Sequence, residues 1–212
     1  IRFMTSHPKD LSDELIEVMR DSKKICRHLH LPLQSGSTKI LKAMNRRYTK
    51  EQYLELAEKI RREIPDMAIT TDIIVGFPGE TEEEFDITEK YLEKVHFYEM
   101  HVFKYSRRAG TKAAAMPDQI PEEVKEERQA ELMELQQDIV FDQAEDRIGE
   151  ELLVMIEGKV ADENAYVGRT YRDAPNVDGL IFVNTSEELM SGDFAKVKVT
   201  GAADYDLIGE LL

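Results

Sequence analysis

A parallel-stranded α/β domain followed by a small antiparallel β-barrel is the fold this sequence predicts. Three observations carry it. Through residue 146, short β-rich runs alternate with long amphipathic segments; from Gly149 the helical periodicity disappears; and five short strand-like runs separated by turn residues fill the remainder. Strand–helix alternation of that length means βαβ units and a parallel sheet, and four such units make about half of a TIM-like (β/α) barrel. Five short strands in so few residues suit a closed barrel of the OB-like kind. The predicted boundary divides residues 1–147 from residues 148–212.

In chain order, residues 1–6 read as a strand and residues 11–21 as a helix, with Asp10 or Ser12 as its cap. Residues 28–33 form a second strand, bounded by Pro32 and the turn-like Ser35-Gly36-Ser37. Helices follow at 38–45 and 50–63, the second with Tyr53, Leu54, Leu56, Ala57, Ile60 and Ile64 as its apolar positions before Pro65 ends it. Residues 67–77 are nearly continuous in apolar character, as expected of a parallel strand covered on both faces. A helix over 82–95 is capped by Thr81, with acidic residues in its first turn where the helix dipole favours them. A strand at 96–105 and a long helix at 121–147 complete the first part. The barrel strands are predicted at 151–158, 165–171, 179–183, 193–200 and 205–212.

Composition narrows the function. No stretch approaches eighteen consecutive apolar residues, so no membrane span is expected. The single cysteine, Cys26, excludes a disulfide framework and any all-cysteine metal or cluster site within the chain, and a reducing cytoplasm suits it. With 28 basic and 43 acidic residues the net charge is -15, which disfavours non-specific nucleic-acid binding and favours a basic partner, although a solvated acidic surface accounts for it equally well. The abrupt strand-like start without Met suggests a piece of something longer.

The sharpest local signal is Asp72-Ile73-Ile74-Val75-Gly76-Phe77-Pro78-Gly79-Glu80-Thr81, a buried strand running into a tight turn and a helix. Ligands sit at the carboxyl ends of parallel strands, and glycines there allow close backbone approach. It is neither a Walker A loop nor a dinucleotide fingerprint; on spacing alone a plain structural turn is the simpler reading. His28 and His30 share one strand face, which permits a metal pair, but no third ligand lies nearby in sequence. His7 reads as a loop residue, Cys26 as a small buried hydrophobe and the 122–134 charge run as a solvated helix face.

The run from Gly76 to Phe85, together with His30-Leu31-Pro32-Leu33-Gln34-Ser35-Gly36-Ser37 and Leu41-Lys42-Ala43-Met44-Asn45-Arg46, strongly resembles the radical S-adenosylmethionine (SAM) methylthiotransferases, and the similarity runs through the whole chain. The resemblance implies a partial radical SAM barrel with SAM across its carboxyl edge, the methionyl end on the unique iron of a 4Fe-4S cluster. It implies that Gln34, Ser35 and Arg46 face the methionyl moiety, an arginine suiting a carboxylate. Thr71 and Asp72 would meet ribose hydroxyls, while Ile73, Val75 and the strand at Phe103, Tyr105 and Ser106 would bracket the adenine. The tail resembles a TRAM domain, with Arg169, Tyr171, Arg172, Asp173 and Asp178 in its substrate-docking run.

The family needs a Cys-x3-Cys-x2-Cys loop and three further cysteines for a second 4Fe-4S cluster; none of the six is here, so the chain alone is expected to be catalytically inert, the clusters being ligated elsewhere. The implied chemistry is cleavage of SAM to a 5'-deoxyadenosyl radical, hydrogen abstraction from carbon and transfer of a methylthio group, with a reductant protein supplying electrons. Substrate assignment is mixed. The tail resembles the RimO-type branch, which modifies an aspartate of a small-subunit ribosomal protein, whereas Phe3-Met4-Thr5-Ser6-His7-Pro8-Lys9-Asp10 resembles the tRNA-modifying MiaB-type branch. Residues 147–212 hold 13 acidic and 6 basic side chains, which favours the basic ribosomal protein over tRNA. A non-catalytic binding module is the alternative of another class.

Overall fold

The computed structural model describes every residue except 4–6 and 176. The chain divides into two compact units, Ile1–Ile139 and Val140–Leu212.

The first unit is built on a three-stranded parallel sheet, β1 (His28–His30), β2 (Ala68–Val75) and β3 (Glu99–Lys104), in that spatial order. Helices α1 (Asp13–Asp21), α2 (Thr38–Ala43), α3 (Lys50–Glu63), α4 (Glu82–Val95) and α5 (Glu122–Glu145) alternate with and follow the strands. Local chemistry sets their starts. The Ser12, Ser37, Thr49 and Thr81 side chains each accept a backbone N–H in the first turn, and Thr49 with Gln52 completes a reciprocal capping box. Tyr53, Ala57 and Ile60, spaced along one stripe of α3, are buried, as are Phe85, Thr88, Leu92 and Val95 of α4. These stripes meet Leu29, Leu31, Leu33, Ile69, Ile73 and Val75 in one core. Tyr53 ties α3 to the end of β1, its hydroxyl donating to the Leu31 carbonyl at 2.6 Å. Among the described residues no helix is long and apolar enough to cross a membrane.

One predicted strand is missing from this sheet. Residues 1–3 carry no strand, although the Ile1 carbonyl accepts the Cys26 N–H at 2.9 Å, and residues 4–6 lie outside the described residues. Among the described residues the sheet thus has three strands, and the rest of the predicted first strand falls outside them.

The second unit is a closed barrel of β4 (Glu151–Lys159), β5 (Ala165–Arg169), β6 (Ile181–Asn184), β7 (Phe194–Ala203) and β8 (Asp206–Leu211), joined in the order β4-β5-β6-β8-β7 and back to β4. Alternate residues point inward, so Leu152, Val154, Ile156, Val183, Val197 and Val199 form its core. Five strands were expected and five are present, but the pairing is mixed: β6 and β8 run parallel while every other pair is antiparallel. The chain passes through β7 between them, so the final strand returns in the same sense as β6.

Candidate functional site at the carboxyl edge of the sheet

Three turns meet at the carboxyl ends of the parallel strands. Gln34 occupies the left-handed region at φ 77° and is pinned from both sides, its N–H donating to the Asp72 carbonyl at 2.8 Å and its own carbonyl accepting from Ile74 at 2.9 Å. A non-glycine residue held in that region is strained, and such strain clusters at ligand sites. Across the sheet, Tyr105 N–H donates to the Val75 carbonyl at 2.9 Å, and the Phe77 and Tyr105 rings meet edge to face at 5.2 Å.

Helix α5 braces this edge. Glu80 and Arg128, 3% and 5% exposed, pair at 2.7 Å, and the same Glu80 oxygen accepts the Gly76 N–H at 2.8 Å. Burial pushes the Glu80 carboxyl above its ordinary value, while the Gly76 amide and Arg128 pull it back. Lys125 donates to the Tyr105 carbonyl at 3.1 Å, and its stem lies so close to Gly76 that a Cβ there would meet Lys125 Cγ at 2.3 Å. Gly76 also sits at φ 72°, so both space and backbone require glycine.

Strand parity divides the predicted residues. In the parallel register His30 faces Thr70, Asp72 faces His101 and Ile74 faces Phe103, so these side chains share one side of the sheet. That side is partly open: Asp72 is 27% exposed and Phe103 52%. Asp72 lies between two imidazoles, 3.3 Å from His30 Nε2 and 3.4 Å from His101 Nδ1.

Thr71, Ile73 and Val75 point the other way, into the helix-covered core, and are at most 1% exposed. Their side chains are turned from the open face, which leaves the backbone at these positions for the nucleoside contacts expected of them. Thr71 spends its hydroxyl inside the fold, accepting from Leu33 N–H at 2.8 Å and donating to the Leu31 carbonyl at 3.0 Å. Ser35 is likewise buried, within 3.3 Å of the Thr88 hydroxyl and accepting the Ser37 N–H at 3.1 Å, so it shapes its turn from within. Arg46 is half-buried just after α2; two residues on, Tyr48 donates to the Leu33 carbonyl at 2.9 Å and ties that segment to the turn after β1. Tyr105 is partly buried and its hydroxyl has no hydrogen-bond partner among the described residues, while Ser106 is exposed.

On the barrel, the predicted docking residues fall into two groups. Asp173 and Asp178 are used by their own loop: Asp173 accepts from the Thr170 N–H at 2.9 Å and hydroxyl at 2.6 Å, and Asp178 from the Ala174 N–H at 2.5 Å. Both carboxylates thus brace this loop from within. Arg169 pairs with Glu157 at 2.6 Å, and Arg172 stacks over the Tyr171 ring at 5.2 Å while donating to its hydroxyl at 2.9 Å. Of the five, only Asp173 is buried; Arg169, Tyr171, Arg172 and Asp178 keep part of their surface exposed. The sequence did not single out His101, Glu99, Glu80, Lys125 or Arg128; parity along β3 was the available signal for the first two.

Comparison with known proteins agrees with this architecture. Residues 1–92 match the Radical SAM superfamily and residues 148–212 the TRAM domain. The chain is 50% identical over 209 residues to "Ribosomal protein uS12 methylthiotransferase RimO" of Lachnoclostridium phytofermentans, covering 99% of this chain and 48% of that protein. It is equally 50% identical over 212 residues to "tRNA-2-methylthio-N(6)-dimethylallyladenosine synthase" of Caldicellulosiruptor saccharolyticus, covering 100% of this chain and 44% of that protein. The chain thus spans about half the length of the curated relatives it matches. In fold it is similar to Escherichia coli coproporphyrinogen III oxidase (HemN), a radical SAM enzyme, with a TM-score of 0.51 at 18% identity over 69% of this chain and 33% of that one.

Proposed function

The chain belongs to the radical SAM methylthiotransferase family, and from that premise we propose that it is the SAM-edge and substrate-docking part of an enzyme that adds a methylthio group to an aspartate of a small-subunit ribosomal protein. The observation that carries the choice of substrate is the charge of the TRAM barrel. Its 13 acidic and 5 basic side chains over residues 148–212 would repel a phosphate backbone, whose binding depends on basic groups, and would steer a basic protein toward the barrel.

The chain's groups fit a sulfonium nucleoside. Gln34 and Arg46 would receive the methionyl end, Asp72 the ribose, and Phe103 with the unpartnered Tyr105 hydroxyl the base. The strained Gln34 turn and the Gly76 loop bring backbone close to that ligand, and the Glu80–Arg128 pair holds the loop in place before the ligand arrives, a gain of preorganisation. They do not fit an iron–sulfur cluster, which needs three or four thiolates where the chain has one cysteine. The two clusters are proposed to be ligated by polypeptide outside this chain, in a cytoplasmic protein served by a reductant partner. When bound, SAM and the clusters supply the radical and methyl-transfer chemistry; the residues here orient SAM and exclude water.

The equal identity to a tRNA-modifying relative favours a second reading, in which tRNA is the substrate. One titration separates the two. Residues 140–212 are mixed with the ribosomal protein and with tRNA at moderate salt; the proposal expects saturable binding of the protein and weak binding of tRNA. Tight tRNA binding with a steep salt dependence would reverse the assignment.

A further inference from the structure

We propose that His30, Asp72 and His101 form a binding site for a divalent first-row transition metal such as Fe(II) or Zn(II), on the open face of the parallel sheet. Each residue comes from a different strand, and the register brings them to adjacent positions of one face: His30 opposite Thr70, Asp72 opposite His101. Among the described residues, their ligand atoms lie within 4.8 Å of one another. Each imidazole nitrogen stands from one Asp72 oxygen at a separation that a coordination sphere can take. Two atoms each about 2.1 Å from an ion at the tetrahedral angle stand about 3.4 Å apart, and the Asp72 oxygens stand 3.3 Å from His30 Nε2 and 3.4 Å from His101 Nδ1.

A second observation points the same way. Metal-binding histidines have their other ring nitrogen held by a neighbouring oxygen, which fixes the tautomer and aims the ligating nitrogen. His30 Nδ1 lies 2.9 Å from the Thr70 hydroxyl, and His101 Nε2 faces Glu99 Oε1 at 3.7 Å. Both imidazoles therefore turn their inner nitrogens toward Asp72. Two imidazoles and one carboxylate make the facial set that binds Fe(II) or Zn(II) and leaves other positions to water or substrate. The three side chains are 17%, 27% and 35% exposed, so an ion can reach them and still keep exchangeable ligands. His28, on the same strand face as His30, is not part of the set.

The site rests on strand geometry and goes beyond the assignment of a methylthiotransferase. It shares Asp72 with the proposed ribose contact, so an ion and a ribose would compete for that carboxylate, and metal binding to the chain without SAM tests the site apart from the assignment. The test uses the 212-residue chain, whose single cysteine removes competition from a thiolate cluster. Zn2+ is titrated calorimetrically in a non-coordinating buffer, and Co2+ binding is followed by its visible absorption. One ion per chain is expected. Asp72→Asn and His101→Gln should each weaken Zn2+ binding by more than tenfold. Cys26→Ser and His28→Gln should leave the affinity unchanged. Absence of stoichiometric binding to the folded unsubstituted chain would overturn the proposal, as would binding that survives both Asp72→Asn and His101→Gln. The first result would mean that the cluster is only a hydrogen-bonded imidazole–carboxylate network.

Discussion

At Thr71 the hydroxyl is fully buried and bridges the Leu33 N–H to the Leu31 carbonyl, joining the end of β1 to the middle of β2. Thr71→Val keeps the shape and deletes both hydrogen bonds, leaving a buried N–H unpaired; it should cost about 1–3 kcal/mol in denaturant unfolding. Arg46 makes the opposite case, since it is half-buried and its proposed partner is a ligand. Arg46→Ala in the full cluster-bearing enzyme should weaken SAM binding measured by calorimetry while leaving the melting temperature nearly unchanged; unaltered affinity removes it from the site. A third prediction concerns acid. The Ser37 hydroxyl, and secondarily Lys39, hold the Glu84 carboxyl below its ordinary value of 4.5. A carboxylate depressed in the folded state adds stability above its unfolded value, and that stability is lost as pH falls through the folded one. Glu84→Gln should therefore lower stability at neutrality and flatten the acid limb of a stability–pH curve below about pH 4.5.

Elements here are decided by short-range chemistry at their ends and by space at their crossings. The Thr49–Gln52 capping box starts α3, and Thr49→Ala should cost about 1 kcal/mol, read as a shift in the urea midpoint. Barrel strands cross more tightly. A Cβ on Gly209 would meet Val197 Cγ1 at 2.4 Å and the Lys198 carbonyl at 2.8 Å, and one on Gly168 would meet Val154 Cγ1 at 2.6 Å and the Met155 carbonyl at 2.7 Å. Gly209→Ala should therefore destabilise the barrel by about 1–3 kcal/mol through overpacking, and a wild-type melting profile would contradict that. Element existence was legible in the sequence because caps and periodicity act within one or two turns: α3 and α4 begin and end where their Thr caps and apolar stripes place them. Residues 1–3 carry no strand although the run there has strand-like composition, since composition does not supply a pairing partner.

On the scale of the whole molecule, two units each close their own core, one around a parallel sheet and one inside a barrel. Residues 140–212 expressed alone should accordingly unfold in a single cooperative transition, followed by circular dichroism; a molten, gradual melt would show that the barrel depends on the rest of the chain. The sequence by itself determined the α/β-then-barrel order, the helix caps, the buried strand before the Gly76 turn, the lack of cluster ligands and the acidic character of the tail. All of these are fixed by neighbouring residues or by composition. Only the tertiary structure decided which face each strand residue takes, sending Thr71, Ile73 and Val75 into the core and Asp72 to the open side. It alone set the parallel closure of β6 on β8 and brought His30 to Asp72 across 42 positions of chain. Register and parity follow from burial and pairing between distant segments, and a shift of one residue reverses every side chain, so no local signal in the sequence carries them.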